Sequence, residues 1–177
     1  MSDVESPNIV RAVFPVGKRW AYLERAKTIR LATTNADGSI YLTPLWFVVH
    51  SRRLFIPIDT SRHTDNLIAG RPLAALVDQG DEYTTVSGLQ IFGTFLPIDD
   101  AELFDTLEAI AFEKYFHEGH PHAEAYFQFG RFAGRRYFEL IPERMVGWDS
   151  REKVTPQGRQ RFTLPPHVGN TRHGAGA

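Results

Sequence analysis

The sequence predicts a mainly β protein, an antiparallel barrel with helices at its periphery. Three observations carry that expectation. Roughly six runs of strand character stand against two or three helical ones. Hairpin signals dominate the first half, where three β-type runs between Ile29 and Val77 are joined by two tight turns, one of them marked by Asp37-Gly38. The regular βαβ alternation of a doubly wound nucleotide fold is missing.

The elements follow in order. Residues 1–14 read as a loosely held arm, 15–149 as the barrel domain and 150–177 as a basic, flexible tail. A short helix is expected over Gly17–Lys27, with Trp20, Leu23 and Ala26 on one face. Ile29–Thr33 alternates apolar and polar residues as a half-buried strand does. Ile40–His50 is a second strand, and its Pro44 cannot donate to a ladder, which puts that part at an edge, bulge or gap in pairing. Ser51-Arg52-Arg53 turns into a third strand, Leu54–Ile58. A polar loop, Asp59–Thr64, opens a helix over Thr64–Ala69 that Gly70 ends and Pro72 stops. Leu73–Val77 is a continuous apolar strand. A long β segment over Thr84–Ile98 carries Gly88 and Gly93, signals of bulges or close backbone approach. The clearest helix starts at Asp99-Asp100 and sets Leu103, Phe104, Leu107, Ile110, Ala111 and Tyr115 on one stripe. A shorter helix over Ala123–Gly130 precedes a last strand, Arg136–Val146, with an edge or bend at Pro142.

Composition narrows the function classes. A net charge of −1 gives no general pull toward nucleic acid or anionic membrane. The absence of cysteine removes disulfides, thiolate metal sites and cysteine nucleophiles. No apolar run nears the ~20 residues that span a bilayer, and the opening residues lack a signal-peptide pattern. A soluble, cytoplasmic domain that acts on a small molecule, with neither nucleic acid nor membrane as partner, is the expectation.

Two stretches carry candidate chemistry. Thr60, Ser61 and Thr64 offer hydroxyls, Arg62 a fixed cation, and the start of the following helix free N–H groups, which together favour an anion such as phosphate. A capped helix with a solvated Arg explains the same residues. Arg30 adds a second cation if its strand lies beside this loop. In Thr43-Pro44-Leu45-Trp46-Phe47, backbone groups released by the proline suit a flat heteroaromatic ligand closed in by Trp46 or Phe47, and packing at an edge strand is the plainer alternative. His117-Glu118-Gly119-His120-Pro121-His122 places three imidazoles in one loop but misses the H-E-x-x-H spacing, so no metal is assigned. No carboxylate pair, nucleophile elbow, P-loop or G-x-G-x-x-G occurs, and no catalytic side chain is assigned.

Taken in order, Arg30-Leu31-Ala32-Thr33, Ala36-Asp37-Gly38, Thr43 to Phe47, Ser61-Arg62-His63 with Asn66-Leu67, Leu76-Val77-Asp78, Val86 to Gly93 and Tyr137 to Trp148 resemble the pyridoxamine 5′-phosphate oxidase-like flavin-binding split-barrel superfamily. The resemblance covers roughly Lys27 to Lys153. It implies a six-stranded antiparallel Greek-key split barrel that forms a homodimer with FMN at the subunit interface. It further implies two-electron transfer to or from a small organic substrate. By position, Ser61 and Arg62 would hold the phosphate, with Arg30 the weaker candidate; Thr60 and His63 belong to the same cofactor-binding set, and Thr43, Pro44, Leu45 and Trp46 would run along the ring system. Asn66 would brace the loop, and Gln90 and Trp148 would complete the cofactor set. Position 63 carries His where relatives commonly place Lys, a weaker phosphate clamp when neutral. The substrate-phosphate residues of true pyridoxamine-phosphate oxidases are not found. Two alternatives follow: a coenzyme F420 reductase using Arg131, Arg135 and Arg136 along an exit groove, and a non-catalytic flavin or haem binder using His117, His120 or His122. Tyr83, Phe112, Tyr115, Phe116, Tyr126 and Phe127 would suit an apolar rim, or plain packing.

Overall fold

The computed structural model describes residues 14–82 and 85–150. A single 3-10 turn, Val16–Lys18, leads into helix α1 (Arg19–Arg25), and strands β1 (Ile29–Thr34), β2 (Ile40–Leu45), β3 (Val48–His50) and β4 (Arg53–Ile58) follow. Helix α2 (Arg62–Ile68) precedes β5 (Leu73–Gln79) and β6 (Ser87–Pro97). Helices α3 (Ala101–Tyr115) and α4 (Ala123–Phe132) precede the final strand, β7 (Arg136–Asp149). All strand pairs are antiparallel, in the order β2-β1-β5-β6-β7-β4-β3.

The two ends of this sheet, β2 and β3, are consecutive in the chain. Only Trp46 and Phe47 separate them, so their ends lie within roughly 11 Å of one another. A seven-stranded sheet meets that condition only by curling into a barrel left open along one seam. The expected single strand Ile40–His50 is thus two strands, which raises the count from six to seven. The interruption is held by a side chain distant in sequence: the Phe47 N–H donates to the Tyr115 hydroxyl at 2.9 Å, and that hydroxyl lies 2.6 Å from the Phe47 carbonyl and 2.9 Å from the Lys27 carbonyl. A helix side chain satisfies the backbone where a neighbouring strand would have done so.

The barrel interior is filled by Leu23, Ala26, Ile29, Leu31, Phe47, Leu54, Ile56, Val77, Leu89, Ile91 and Leu140. The predicted face of α1 closes one end, and Tyr22 beside it sends its hydroxyl to Ser87 O at 3.2 Å. The predicted stripe of α3 covers the outside of β3, β4 and β7, where Leu107 and Ala111 pack with Val48, Phe55 and Tyr137. Strand β4 is therefore buried on both faces after Arg53, which explains its unbroken apolar run. Asp100 caps α3 by accepting from the Leu103 N–H at 3.0 Å.

The β6–β7 pairing shifts register between Phe92 and Gly93, leaving Glu143 as the extra residue beside Pro142. A side chain at Gly93 would collide with the Ile141 carbonyl. Strand β7 runs three residues past its expected end and carries Trp148 over Gly88. Of the expected arm, only Phe14 lies within the described residues; it is buried, and its N–H donates to Gly147 O at 3.1 Å. Of the tail expected from Ser150 onward only Ser150 is described, its N–H donating to Val86 O at 3.0 Å; the rest of the tail and the rim residue Tyr83 lie outside the described residues. No described helix is long and apolar enough to cross a membrane.

Candidate functional site

A cleft of about 300 Å³ opens at the seam. Its walls are Tyr41, Thr43, Pro44, Leu45 and Trp46 from β2 and the link after it, Pro57, Ile58 and Asp59 from the end of β4, and Ser61 and His63 at the start of α2. Tyr126 of α4 and Arg135 complete it. Alternation along β2 aims Tyr41, Thr43 and Leu45 inward. Trp46 stacks on Tyr115 with ring centroids 4.3 Å apart and planes 3° from parallel, and it also meets Tyr126 at 4.9 Å and Phe116 at 5.5 Å. Flat aromatic walls of this kind suit a planar ligand.

His63 is buried (2% exposed) and its ring is tied at both nitrogens. Nδ1 lies 2.9 Å from Thr33 Oγ1 and Nε2 lies 2.9 Å from Thr43 Oγ1, while the ring packs on Tyr41. Burial pushes its pKa down to about 4, so the imidazole is neutral at pH 7. The side chain joins α2 to β1 and β2 and supplies no cation. Asn66 extends the network: its amide donates to Thr33 Oγ1 and to Asn35 Oδ1, each at 2.9 Å, and its carbonyl accepts from Arg71 at 2.6 Å.

The cation of the cleft is Arg135. Its side chain is 5% exposed, pairs with Asp59 through two hydrogen bonds of 2.7 and 3.3 Å, and lies over the Tyr126 ring at 4.0 Å. Burial opposes its charge; the bond to Asp59 and the nearby Tyr126 and Asp59 outweigh that and hold the pKa above its ordinary value. Burial likewise raises the Tyr126 phenol, which stays protonated. Gly130 makes room for the guanidinium, since a Cβ there would meet Arg135 Cζ at 2.5 Å. Thr60 N–H donates to Ala133 O at 3.1 Å and locks the Asp59 loop to the end of α4.

Of the residues singled out from the sequence, the cleft gathers Thr43, Pro44, Leu45, Trp46, Ser61 and His63. Thr60, Arg62 and Asn66 lie beside it. Arg62 is exposed and contributes, after Ser39, to keeping the Asp37 carboxyl below its usual range. Arg30, Gln90 and Trp148 stand elsewhere, on the outer face of the sheet. Ladder register puts Pro44, Arg30, Leu76, Gln90 and Val146 in one row across five strands, with Asp78, Gly88 and Trp148 in the row beside it. Arg30 there is bound to Asp78 at 2.8 Å. Ile40, Leu42, Val146 and Trp148 leave this face apolar and exposed. Arg131, Arg135 and Arg136, the expected groove cations, each face a carboxylate: Glu108, Asp59 and Asp99.

A family model for pyridoxamine 5′-phosphate oxidase matches residues 19–149. The chain belongs to that family. Solved structures agree on the fold of this pyridoxamine 5′-phosphate oxidase relative. A conserved hypothetical protein of Mycobacterium tuberculosis, Rv2991, superposes with a TM-score of 0.68 at 20% identity, over 90% of this chain and 97% of its own. The haem storage protein HutZ of Vibrio cholerae gives 0.61 at 18%, over 77% and 98%. A FAD-binding protein of Mesorhizobium loti gives 0.61 at 15%, over 78% and 96%. Comparison with curated proteins gave no match.

The Arg135–Asp59–Tyr126 group was not legible as a unit. Asp59 read as the opening of the polar loop, Arg135 as a groove cation and Tyr126 as a rim residue. Gly130, expected to end its helix, lies inside α4, where glycine costs stability and here leaves the space that Arg135 fills.

Proposed function

We propose that this protein is a flavin-dependent oxidoreductase that binds FMN between two copies of the chain, passes two electrons to or from a small organic substrate, and is not a true pyridoxamine-phosphate oxidase. The observation that carries the reading is the cleft at the seam, walled by Tyr41, Trp46 and Tyr126 and edged by the β2 backbone. The ring system would lie between those walls. Ser61 and the exposed Arg62 beside it stand ready for the phosphate, because Arg135, the buried cation of the lining, is already committed to Asp59. The apolar outer face, which holds Arg30, Gln90 and Trp148, supports a second copy packing there and completing the site.

When bound, FMN supplies the two-electron chemistry, so no side-chain acid or base is required. The chain's part is to hold and orient: Trp46 is fixed by Tyr115, and the protonated Tyr126 phenol and the Arg135–Asp59 pair give the cleft its polarity. A haem reading has one observation in its favour. The His120 ring packs on Phe116 at 5.0 Å, and Phe116 touches Trp46, so the histidine loop lies one ring from the cleft. The absorption spectrum and mass of the co-purifying small molecule test both. A flavin spectrum with the mass of FMN is expected. A colourless protein that binds no added FMN overturns the proposal, and a Soret band lost in the His117/His120/His122 triple alanine variant installs the haem reading in its place.

A further inference from the structure

The hydrogen-bond chain that ends at Thr43 has a fixed direction. It begins at Arg71, which can only donate, so the Asn66 atom 2.6 Å from it is the carbonyl oxygen. The Asn66 amide nitrogen therefore faces Thr33 Oγ1 and donates to it at 2.9 Å. Thr33 is 1% exposed, and a hydroxyl proton buried there without an acceptor would be costly. Its two side-chain partners are the Asn66 amide, a donor, and His63 Nδ1. The Thr33 proton consequently goes to Nδ1, and the proton of the neutral imidazole sits on Nε2. That nitrogen lies 2.9 Å from Thr43 Oγ1, which must accept. The hydroxyl proton of Thr43 is left uncommitted, on a side chain that lines the cleft.

We infer that His63 is a positioning residue, held in the Nε2-protonated tautomer by the Arg71–Asn66–Thr33 chain, and that it makes Thr43 a hydrogen-bond donor to the ligand. The cleft then selects a ligand presenting an acceptor at Thr43, an unprotonated ring nitrogen or a carbonyl oxygen, and disfavours one presenting an N–H there. This deepens the flavin reading and rests on it for the ligand, but the tautomer itself depends on nothing outside the chain. It also gives the His at position 63 a task that lysine, with three protons to donate and no acceptor, could not perform.

Two measurements decide the matter. Multiple-bond ¹H–¹⁵N NMR on ligand-free, histidine-labelled protein at neutral pH, with His63 assigned by its contacts to the Tyr41 ring, reads the tautomer directly. An unprotonated Nδ1 with a protonated Nε2 is expected; a protonated Nδ1 overturns the inference whatever FMN does. FMN titration of the wild type, Thr43→Ser and Thr43→Val follows. Serine should keep the affinity within about twofold and valine should lose about tenfold, the loss of one hydrogen bond to the ligand. Equal affinity for Thr43→Val and the wild type overturns Thr43 as the donor. A wild type that shows the Nε2-protonated ring yet binds no FMN overturns the flavin reading and leaves the polarity of the chain upheld.

Discussion

Burial gives His63 a pH dependence whose sign is fixed. Its pKa falls from 6.5 in the unfolded chain to about 4 in the fold. Between those values the unfolded state binds the proton and the folded state does not, so stability drops as pH falls from about 6.5 toward 4 and the His63 contribution is complete above that window. Urea unfolding at pH 7.5 and pH 5 should show the loss, and a His63→Gln variant should lose less over the same interval. A variant with an unchanged pH difference would show that other groups carry it. This residue also marks a limit of reading side chains one at a time. Next to Ser61 and Arg62 in the sequence, His63 reads as one more phosphate-facing group. The helical turn that begins at Arg62 leaves Arg62 exposed and carries His63 inward between Thr33 and Thr43.

The β3–β4 hairpin turns through Ser51 and Arg52, both left-handed at φ 50° and 56°. Left-handed backbone costs an L residue roughly 1–2 kcal/mol, and a two-residue hairpin of this kind favours Asn-Gly. The double substitution Ser51→Asn/Arg52→Gly should therefore stabilise the fold by about 1–2 kcal/mol, raising Tm by roughly 3–6 °C in a thermal melt followed by circular dichroism. A Tm at or below the wild-type value would mean that Ser51 or Arg52 contributes contacts that offset the strain. Elements were mostly legible at this scale. The α1 and α3 faces, the Gly93 irregularity and the edge position of Pro44 all follow from local patterns. The break at Trp46-Phe47 was not, because its cause, the Tyr115 hydroxyl, lies 68 residues away in sequence.

At the scale of the whole molecule, the outer sheet face poses the sharper question. Leu42 and Val146 stand exposed on a surface whose rows also hold Arg30, Gln90 and Trp148. If two copies meet there, Leu42→Glu and Val146→Glu should halve the mass seen by light scattering. They should also weaken FMN binding by tenfold or more, although neither residue lines the cleft. A wild type that is monomeric and binds FMN fully would remove the second copy from the site. Half of the candidate cofactor set was gathered by the cleft of one chain, and Arg30, Gln90 and Trp148 share the other face. Strand alternation predicts that two such groups face apart, but it does not say which face closes on itself.

The amino-acid order was enough for the antiparallel β class, the helix faces and the turns, and it marked Thr43–Trp46 and Ser61–His63 as candidates, most of which line one cleft. These depend on local periodicity and on backbone chemistry within a few residues. The tertiary structure decided the rest: the seam between β2 and β3, the neutral buried role of His63, and the joining of Asp59 to Arg135 and Tyr126. Each of these depends on burial and on partners distant in the chain, and both are created only when the sheet curls.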